Sequence, residues 1–397
     1  PHQPTTCRRQ RQMCIRDRCL MAPTEILAQQ HHQTISKLLT PLGVNVGLLT
    51  GSNKAKERKV IHEELLNGEM SFLVGTHALL EKQVQFKNIG LVVIDEQHRF
   101  GVAQRSKMWM KNKQAPHMLV MSATPIPRTL AMTLFGDLDI SVIDELPPGR
   151  KSIKTAHKYD SHRDNVFGFM KKQIALGRQI YVVYPLIKES ETLDYKDLMD
   201  GFESISRAFP KPNYQISIVH GKMKAEDKEF EMQRFIKGET NIMVATTVIE
   251  VGVDVPNASV MIIESSERFG LSQLHQLRGR VGRGAEQSYC ILMSSFKLSN
   301  DAKVRIETMC KSNDGFEIAD VDLKLRGPGD MAGTMQSGVL DLQIADLAKD
   351  GQILQIARES AIKLLEDDPN LEKITNAPIA YHYALKHRGK TNWSRIS

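Results

Sequence analysis

The sequence predicts an α/β protein with two tandem domains, each built on a parallel sheet. Three observations carry that prediction. Short aliphatic runs alternate with amphipathic stretches at a steady pace, the pattern of βαβ units with helices on both sheet faces. The alternation breaks at Leu146-Pro147-Pro148-Gly149-Arg150, which reads as an interdomain linker. It then resumes and stops near Phe296, within a chain of 397 residues, enough for two to three domains at ~150 residues each.

Taken in order, Leu20-Met21 reads as the end of a buried strand. Leu48-Leu49, Phe72-Leu73-Val74, Leu91-Val92-Val93-Ile94 and Met118–Met121 supply the next strands. Between them the helical segments are Glu25–Leu39, Lys54–Leu66, Gln104–Met110 and Arg128–Leu134. The second series has strands at Ile180–Tyr184, Ile216–Val219, Ile242–Ala245, Val260–Ile263 and Tyr289–Met293, with a helix over Lys224–Ile236. Residues 299–345 are polar and glycine-rich and read as loop, and Ile344–Leu365 reads as one or two helices. The expected domains are therefore 19–146 and 147–298, followed by an element at 299–345 and a helical region at 346–397.

Composition narrows the class. Hydrophobic residues make up 41% and charged residues 25%, which excludes a disordered chain, a collagen-like chain or a coiled-coil rod. No apolar run approaches the ~20 residues that span a bilayer, so no membrane role is expected. The net charge is +7, but residues 1–18 hold five arginines against one acid, leaving only +3 for the remaining 379 residues. Bulk charge is thus a weak argument for nucleic-acid binding. Cys7, Cys14 and Cys19 lie near the start, and Cys290 and Cys310 are far apart. Neither a disulfide framework nor a zinc spacing results, which suits a reducing cytoplasm.

Residues 1–18, PHQPTTCRRQRQMCIRDR, lack the apolar stretch of a signal peptide and join Cys19-Leu20-Met21 abruptly. They read as a foreign segment, with a basic nucleic-acid arm as the other reading.

Ligands of open parallel sheets bind at the carboxyl ends of strands, and the unusual residues cluster there. Leu91–Ile94 runs straight into Asp95-Glu96-Gln97-His98. Two adjacent carboxylates after a buried strand suit Mg²⁺-nucleotide chemistry, the first holding the metal and the second orienting or deprotonating water; the plain alternative is a solvated strand end. Ser122-Ala123-Thr124-Pro125 follows another strand, where hydroxyls can bond the neighbouring acids or cap a helix. Gln276, Arg280 and Arg283 fall at i, i+4 and i+7, the spacing of one helix face. Paired arginines suit a phosphate, with a solvated basic helix as the plain alternative, and the interspersed glycines need a reason such as close approach to a ligand or another backbone. Pro23-Thr24, Thr50-Gly51, Gly75-Thr76-His77 and Thr246-Thr247 also follow strands. Several such turns on one edge suggest a track for a phosphodiester backbone.

In sequence order these segments resemble a superfamily 2 helicase motor. Pro23-Thr24-Glu25 is similar to motif Ia, Asp95–His98 to the DExH form of motif II, and Ser122–Thr124 to motif III. Thr246–Asp254 is similar to motif V and Gln276–Arg283 to motif VI. The stretches GLVVIDEQHRFGVAQ, SATPIPRT, TTVIEVGVDVPN and FGLSQLHQLRGRVGRG resemble the RecG family of bacterial branched-DNA helicases. So does NDGFEIADVDLKLRGPGDMAGTMQSG at 313–338, which is similar to that family's translocation element, a helical hairpin and loop. The resemblance covers about residues 19–370.

It implies two RecA-like domains, a translocation element and C-terminal helices. It implies that Asp95 holds Mg²⁺ with ATP, that Glu96 activates water, and that Arg280 and Arg283, with Gln276 in the same motif, face the γ-phosphate. His98, Ser122, Ala123, Thr124 and Asp254 would couple hydrolysis to DNA. DNA contacts would come from Pro23, Thr24, Thr50, Gly51, Thr76, His77, Thr246, Thr247, Arg326 and Gln336. The implied partners are branched double-stranded DNA and a single-stranded-DNA-binding protein, for a monomer in the bacterial cytoplasm at the nucleoid. The family's G-x-x-x-x-G-K-[ST] phosphate loop occurs nowhere in the sequence, and its oligonucleotide-binding wedge has no counterpart, so an N-terminally truncated form is expected. The alternative functions are an ATP-independent duplex-DNA-binding module and an RNA helicase; the Asp-Glu-Gln-His motif speaks against the second.

Overall fold

The computed structural model describes residues 16–101, 104, 107–108, 111, 115–123, 141–143, 145, 147–185, 191–246, 255–284, 286–334 and 350–387. The expected helix Arg128–Leu134 lies outside them; of Gln104–Met110, residues 104, 107 and 108 are helical.

The first sheet contains β1 (Asp17–Met21), β2 (Val46–Leu49), β3 (Phe72–Gly75), β4 (Ile89–Ile94) and β5 (His117–Val120) in the order β2-β3-β1-β4-β5. All described pairings are parallel. Helix α1 (Glu25–Leu39) joins β1 to β2, and α2 (Ala55–Asn67) joins β2 to β3. Side chains alternate across the sheet as the pleat requires. Cys19 and Met21 enter one core with Leu73, Val92 and Ile94, while Leu20 and Ala22 enter the other with Phe72 and Val74. Ile26 of α1 also packs against the core of the second sheet.

β1 begins two residues before the boundary expected at Cys19. Arg18 pairs in register with Phe72 and Leu91, and the buried Asp17 carboxylate accepts the Asn88 N–H at 2.7 Å. Asp17 and Arg18 are therefore part of the first sheet.

The second sheet contains β6 (Lys154–Tyr159), β7 (Gln179–Tyr184), β8 (Ile216–Val219), β9 (Ile242–Thr246), β10 (Ala258–Ile263) and β11 (Tyr289–Ser294), ordered β6-β11-β10-β7-β9-β8. Its pairings are parallel too. Met261 and Ile263 face one core, Val260 and Ile262 the other. The helices here are α3 (Arg163–Ala175), α4 (Glu191–Ala208), α5 (Ala225–Ile236) and α6 (Leu271–Arg278). Strand β6 was not expected. Its sequence, KTAHKY, has no aliphatic run, and as an edge strand it leaves Lys154 and Lys158 exposed.

Beyond the sheet lie α7 (Asn300–Lys311), α8 (Gly315–Thr334), α9 (Gly351–Asp367) and α10 (Ala377–His387). The loop expected from the composition of 299–345 is thus largely two helices. Ser299 caps α7 by accepting the Ala302 N–H at 3.2 Å. Ile306, Met309 and Ile318 are buried in one core with Leu271, Leu274 and Leu277 of α6. Among the described residues no helix is long and apolar enough to cross a membrane.

Candidate nucleotide and nucleic-acid site

β4 delivers Asp95 to the carboxyl edge of the first sheet, where the Asp95 N–H donates to the Met21 carbonyl of β1 at 2.9 Å. Its Oδ1 accepts the Glu96 N–H at 2.9 Å, and its Oδ2 lies 2.8 Å from His31 Nε2 on α1. Glu96 is buried and adopts a left-handed backbone, φ 49° and ψ 53°. A non-glycine residue there costs on the order of 1 kcal/mol and is held by its surroundings. The holding bonds are visible. The Gln97 N–H donates to the Met121 carbonyl at 3.0 Å, and the Met121 N–H to the Ile94 carbonyl at 2.8 Å. The segment after β4 is clasped to the end of β5, immediately before the exposed Ser122 and Ala123. Thr124 lies outside the described residues. His98 sits in the short turn Gln97–Arg99, but its side chain is outside them too.

Asp95 fits a nucleotide-borne Mg²⁺. Among the described residues no group of three or more His, Cys, Asp or Glu could hold a metal alone. Mg²⁺ usually takes one or two carboxylates and completes its octahedron with phosphates and water.

On the second sheet, α6 ends at Arg278, so Gln276, Arg280 and Arg283 do not share one helix face. Arg280 begins the tight turn that follows, its N–H donating to the Leu277 carbonyl at 3.0 Å. Gly282 takes φ +81°, where a Cβ would lie 2.9 Å from Ile153 Cγ1; a Cβ on Gly284 would lie 2.8 Å from the Pro256 carbonyl oxygen. These close approaches are what the glycines permit. Arg150 of the linker clamps the same turn, its Nε donating to the Gly282 carbonyl at 2.7 Å. Arg280 is buried, and Arg283 and Gln276 are half-buried.

The expected DNA-contact threonines divide into two kinds. Thr24 caps α1 by accepting the Leu27 N–H at 3.3 Å, beside a half-buried Pro23. The Thr50 hydroxyl is engaged by Ser52 Oγ at 3.0 Å and Asn53 Oδ1 at 3.3 Å, next to an exposed Gly51. Glu25 Oε1 accepts the Ser52 N–H at 2.9 Å, which joins the first turn of α1 to the 50–52 turn. The Thr76 and Thr246 hydroxyls, by contrast, are buried at the ends of β3 and β9 with no hydrogen-bond partner among the described residues. His77 is exposed beside Thr76. Thr247, Asp254 and Gln336 lie outside the described residues; Arg326 falls in α8, with its side chain outside them.

Comparison with known proteins places these elements in one family. Residues 16–133 match the DEAD/DEAH box helicase family, 165–285 the helicase conserved C-terminal domain, and 312–397 domain 3, C-terminal, of the ATP-dependent DNA helicase RecG. The RecG helicase of Synechocystis is 52% identical over 353 residues, covering 89% of this chain and 42% of the relative. That of Escherichia coli K12 is 48% identical over 358 residues, covering 89% and 51%. A solved structure of RecG bound to a three-way DNA junction superposes with a TM-score of 0.68 at 41% identity, covering 85% of this chain and 43% of that one. The chain belongs to the RecG helicase family. It spans about half the length of the curated RecG relatives it matches.

In this RecG-family chain the Arg278 side chain, 2% exposed, ties α6 to the end of α7. Its Nη1 donates to the Met309 carbonyl at 2.9 Å and the Ser312 carbonyl at 2.7 Å, and its Nη2 donates to His275 Nδ1 at 3.1 Å. Ser272 of α6 reaches α8, donating to Asp322 Oδ2 at 3.0 Å. Burial pushes the Arg278 pKa down, and burial beside Arg278 pushes His275 down to about 4, so its ring is neutral and free to accept. Sequence reasoning missed Arg278 and His31. The signal for Arg278 is its place next to the apolar series Leu271, Leu274 and Leu277, where a charge must be paired. No local signal marks His31.

Proposed function

We propose that this chain is the motor portion of an ATP-dependent DNA helicase that remodels branched double-stranded DNA in recombination and repair. The observation that carries this reading is the strand-end pair Asp95–Glu96, clasped by backbone bonds to the segment leading into Ser122. It is supported by a RecG relative bound to a three-way junction, a ligand recorded for that protein.

ATP with Mg²⁺ supplies the free energy of phosphoryl transfer when bound. Asp95 would hold the metal side, and Glu96, fixed by its left-handed backbone, would orient the attacking water and accept its proton. Arg280 and Arg283, projected from the turn after α6, would face the developing charge on the γ-phosphate. Arg278 would pass movement of that turn to α7, and Ser272 to α8, elements that address duplex DNA. Pro23, Thr24, Gly51 and His77 would line the edge that meets backbone phosphates, and Thr76 and Thr246, whose hydroxyls are buried here, would donate to phosphates where DNA binding uncovers them. A monomer at the bacterial nucleoid, working beside single-stranded-DNA-binding protein, completes the proposal.

These 397 residues contain no G-x-x-x-x-G-K-[ST] loop, the element that cradles β- and γ-phosphates. The test is ATPase rate with and without a four-way junction, for this chain and for the chain joined to a phosphate loop and wedge. Stimulated turnover in the joined protein alone, abolished by Glu96→Gln, is expected. If neither responds, the motor reading falls and an ATP-independent duplex-DNA-binding module replaces it.

A further inference from the structure

We propose that His31 is a positioning residue for Asp95, fixing the carboxylate from a helix that begins at the proposed DNA edge. The proposal rests on the reading of Asp95 as the Mg²⁺-holding acid.

Among the described residues the Asp95 carboxylate has two hydrogen-bond anchors. The Glu96 N–H on Oδ1 comes from the next residue and moves with the same loop. His31 Nε2 on Oδ2, at 2.8 Å, comes from 64 residues away on another element. Among the described residues, that second bond is the one that fixes the carboxylate side chain against another element of the fold. A carboxylate oxygen has two lone-pair sites, so these two bonds still leave acceptor capacity for a metal or its water. Such outer partners orient metal-holding side chains, and their loss typically costs about 10–100-fold in metal affinity.

The helix that carries His31 is itself pinned. Thr24 caps its start, Glu25 accepts the Ser52 N–H, and the neighbouring ring of His32 meets the Val46 carbonyl of β2 through Nε2 at 3.2 Å. His31 lies six residues beyond Glu25, about 9 Å along a rigid helix at ~1.5 Å per residue. A shift imposed on the Pro23–Thr24 turn or on the 50–52 turn is therefore delivered to the Asp95 carboxylate through one ring. The consecutive histidines divide the work: one ring fixes the helix to the sheet, the other fixes the acid to the helix.

Two measurements test this. In protein labelled with [¹⁵N]histidine and free of metal and nucleotide, the signal lost in His31→Gln identifies the His31 ring. Its Nε2 shift is expected to move in Asp95→Ala; no movement overturns the contact. In the protein containing the phosphate loop, the Mg²⁺ concentration for half-maximal junction-stimulated ATPase is read with a melting curve for each variant. His31→Ala is expected to raise that concentration about tenfold or more, with the melting temperature little changed. His31→Gln, whose amide nitrogen replaces Nε2, is expected to return it to within about twofold. An unchanged Mg²⁺ requirement in an active His31→Ala protein overturns the proposal, as does failure of glutamine to rescue. If His31→Ala does not fold, the glutamine variant and the ¹⁵N shift decide. If the unmodified protein has no ATPase at all, the motor reading fails, and the ¹⁵N shift still reports whether His31 holds Asp95.

Discussion

Asp95 and Glu264 occupy the same place in two different sheets. Each is the first residue beyond a central strand, and each donates its N–H to the end of the adjacent strand, to Met21 and to Val183, at 2.9 Å. Each precedes a left-handed non-glycine residue, Glu96 at φ 49° and Ser265 at φ 47°. A short turn and the triplet Arg-Phe-Gly follow in both, at 99–101 and 268–270, with both phenylalanines buried. The backbone device is shared and the chemistry is not. Arg163 closes on Glu264 with Nη1 to Oε1 at 2.7 Å and Nη2 to Oε2 at 2.8 Å, a bidentate pair that occupies both oxygens. That bonding pushes the already high pKa of Arg163 higher still. Asp95 faces a single ring nitrogen from another element and remains available.

That contrast separates two conservative substitutions. In the chain joined to a phosphate loop and wedge, Glu96→Gln is expected to abolish junction-stimulated ATPase and leave the melting temperature nearly unchanged. Glu264→Gln is expected to destabilise by about 2 kcal/mol, below the 3–5 of a fully buried pair because Arg163 is 30% exposed. Urea denaturation and ATPase rate, measured on both variants, check the separation. A stability loss at Glu96 comparable to that at Glu264 would contradict it.

Arg278 should behave as a link between α6 and α7. Arg278→Lys keeps the charge but cannot reach the Met309 and Ser312 carbonyls and His275 with one fork. A cost of about 2 kcal/mol follows from charge-assisted bonds lost at buried carbonyls. In the chain joined to a phosphate loop and wedge, unwinding of a four-way junction is expected to fall much further than ATPase, because the turn bearing Arg280 and Arg283 is still held by Arg150. Equal losses in the two assays would show that Arg278 serves folding alone.

His275 adds a pH dependence. Burial, then Arg278, lower its pKa from the usual 6.5 to about 4, with Asp314 acting weakly in the opposite sense. The unfolded chain binds the proton first as pH falls, so folded-state stability is complete above about 6.5 and is lost between that value and about 4. The loss is on the order of 3 kcal/mol at most. Comparing urea midpoints at pH 7.5 and 5 for the unmodified protein and His275→Gln isolates it. The glutamine variant is expected to show a smaller drop between the two pH values.

Sheet strands were legible because buried parallel strands are aliphatic runs, and Val92, Val260 and Ile262 follow that rule. Strand β6 was not legible, since an edge strand guarded by Lys154 and Lys158 has no apolar period. The acids Asp95 and Glu96 were legible as charges placed directly after such a run. The spacing of Gln276, Arg280 and Arg283 suggested one helix face, yet the helix ends at Arg278 and Gly282 turns left-handed, a backbone choice that spacing does not carry. His31 was hidden for a different reason. Periodicity assigns a residue to a helix face, but what that face meets 64 residues later is a property of the fold.

Thr76 and Thr246 give the most direct test of the proposed DNA edge. Among the described residues neither hydroxyl has a hydrogen-bond partner, and a buried hydroxyl without one is a cost to the folded protein, because it forgoes the hydrogen bonds it makes to water when unfolded. Replacing either threonine by valine removes the hydroxyl and keeps the shape, so melting temperature is expected to hold or rise. If the hydroxyls face DNA phosphates, duplex affinity falls in the same variants. Loss of one such bond is worth about 1 kcal/mol, roughly a fivefold change in Kd. The bond is from a neutral donor, so the slope of log Kd against log salt should be unchanged, whereas removing a lysine or arginine contact would lower it by about one. Fluorescence anisotropy with a labelled junction over a salt series reads both quantities. Unchanged affinity in the double Thr76→Val, Thr246→Val variant would remove these residues from the DNA edge.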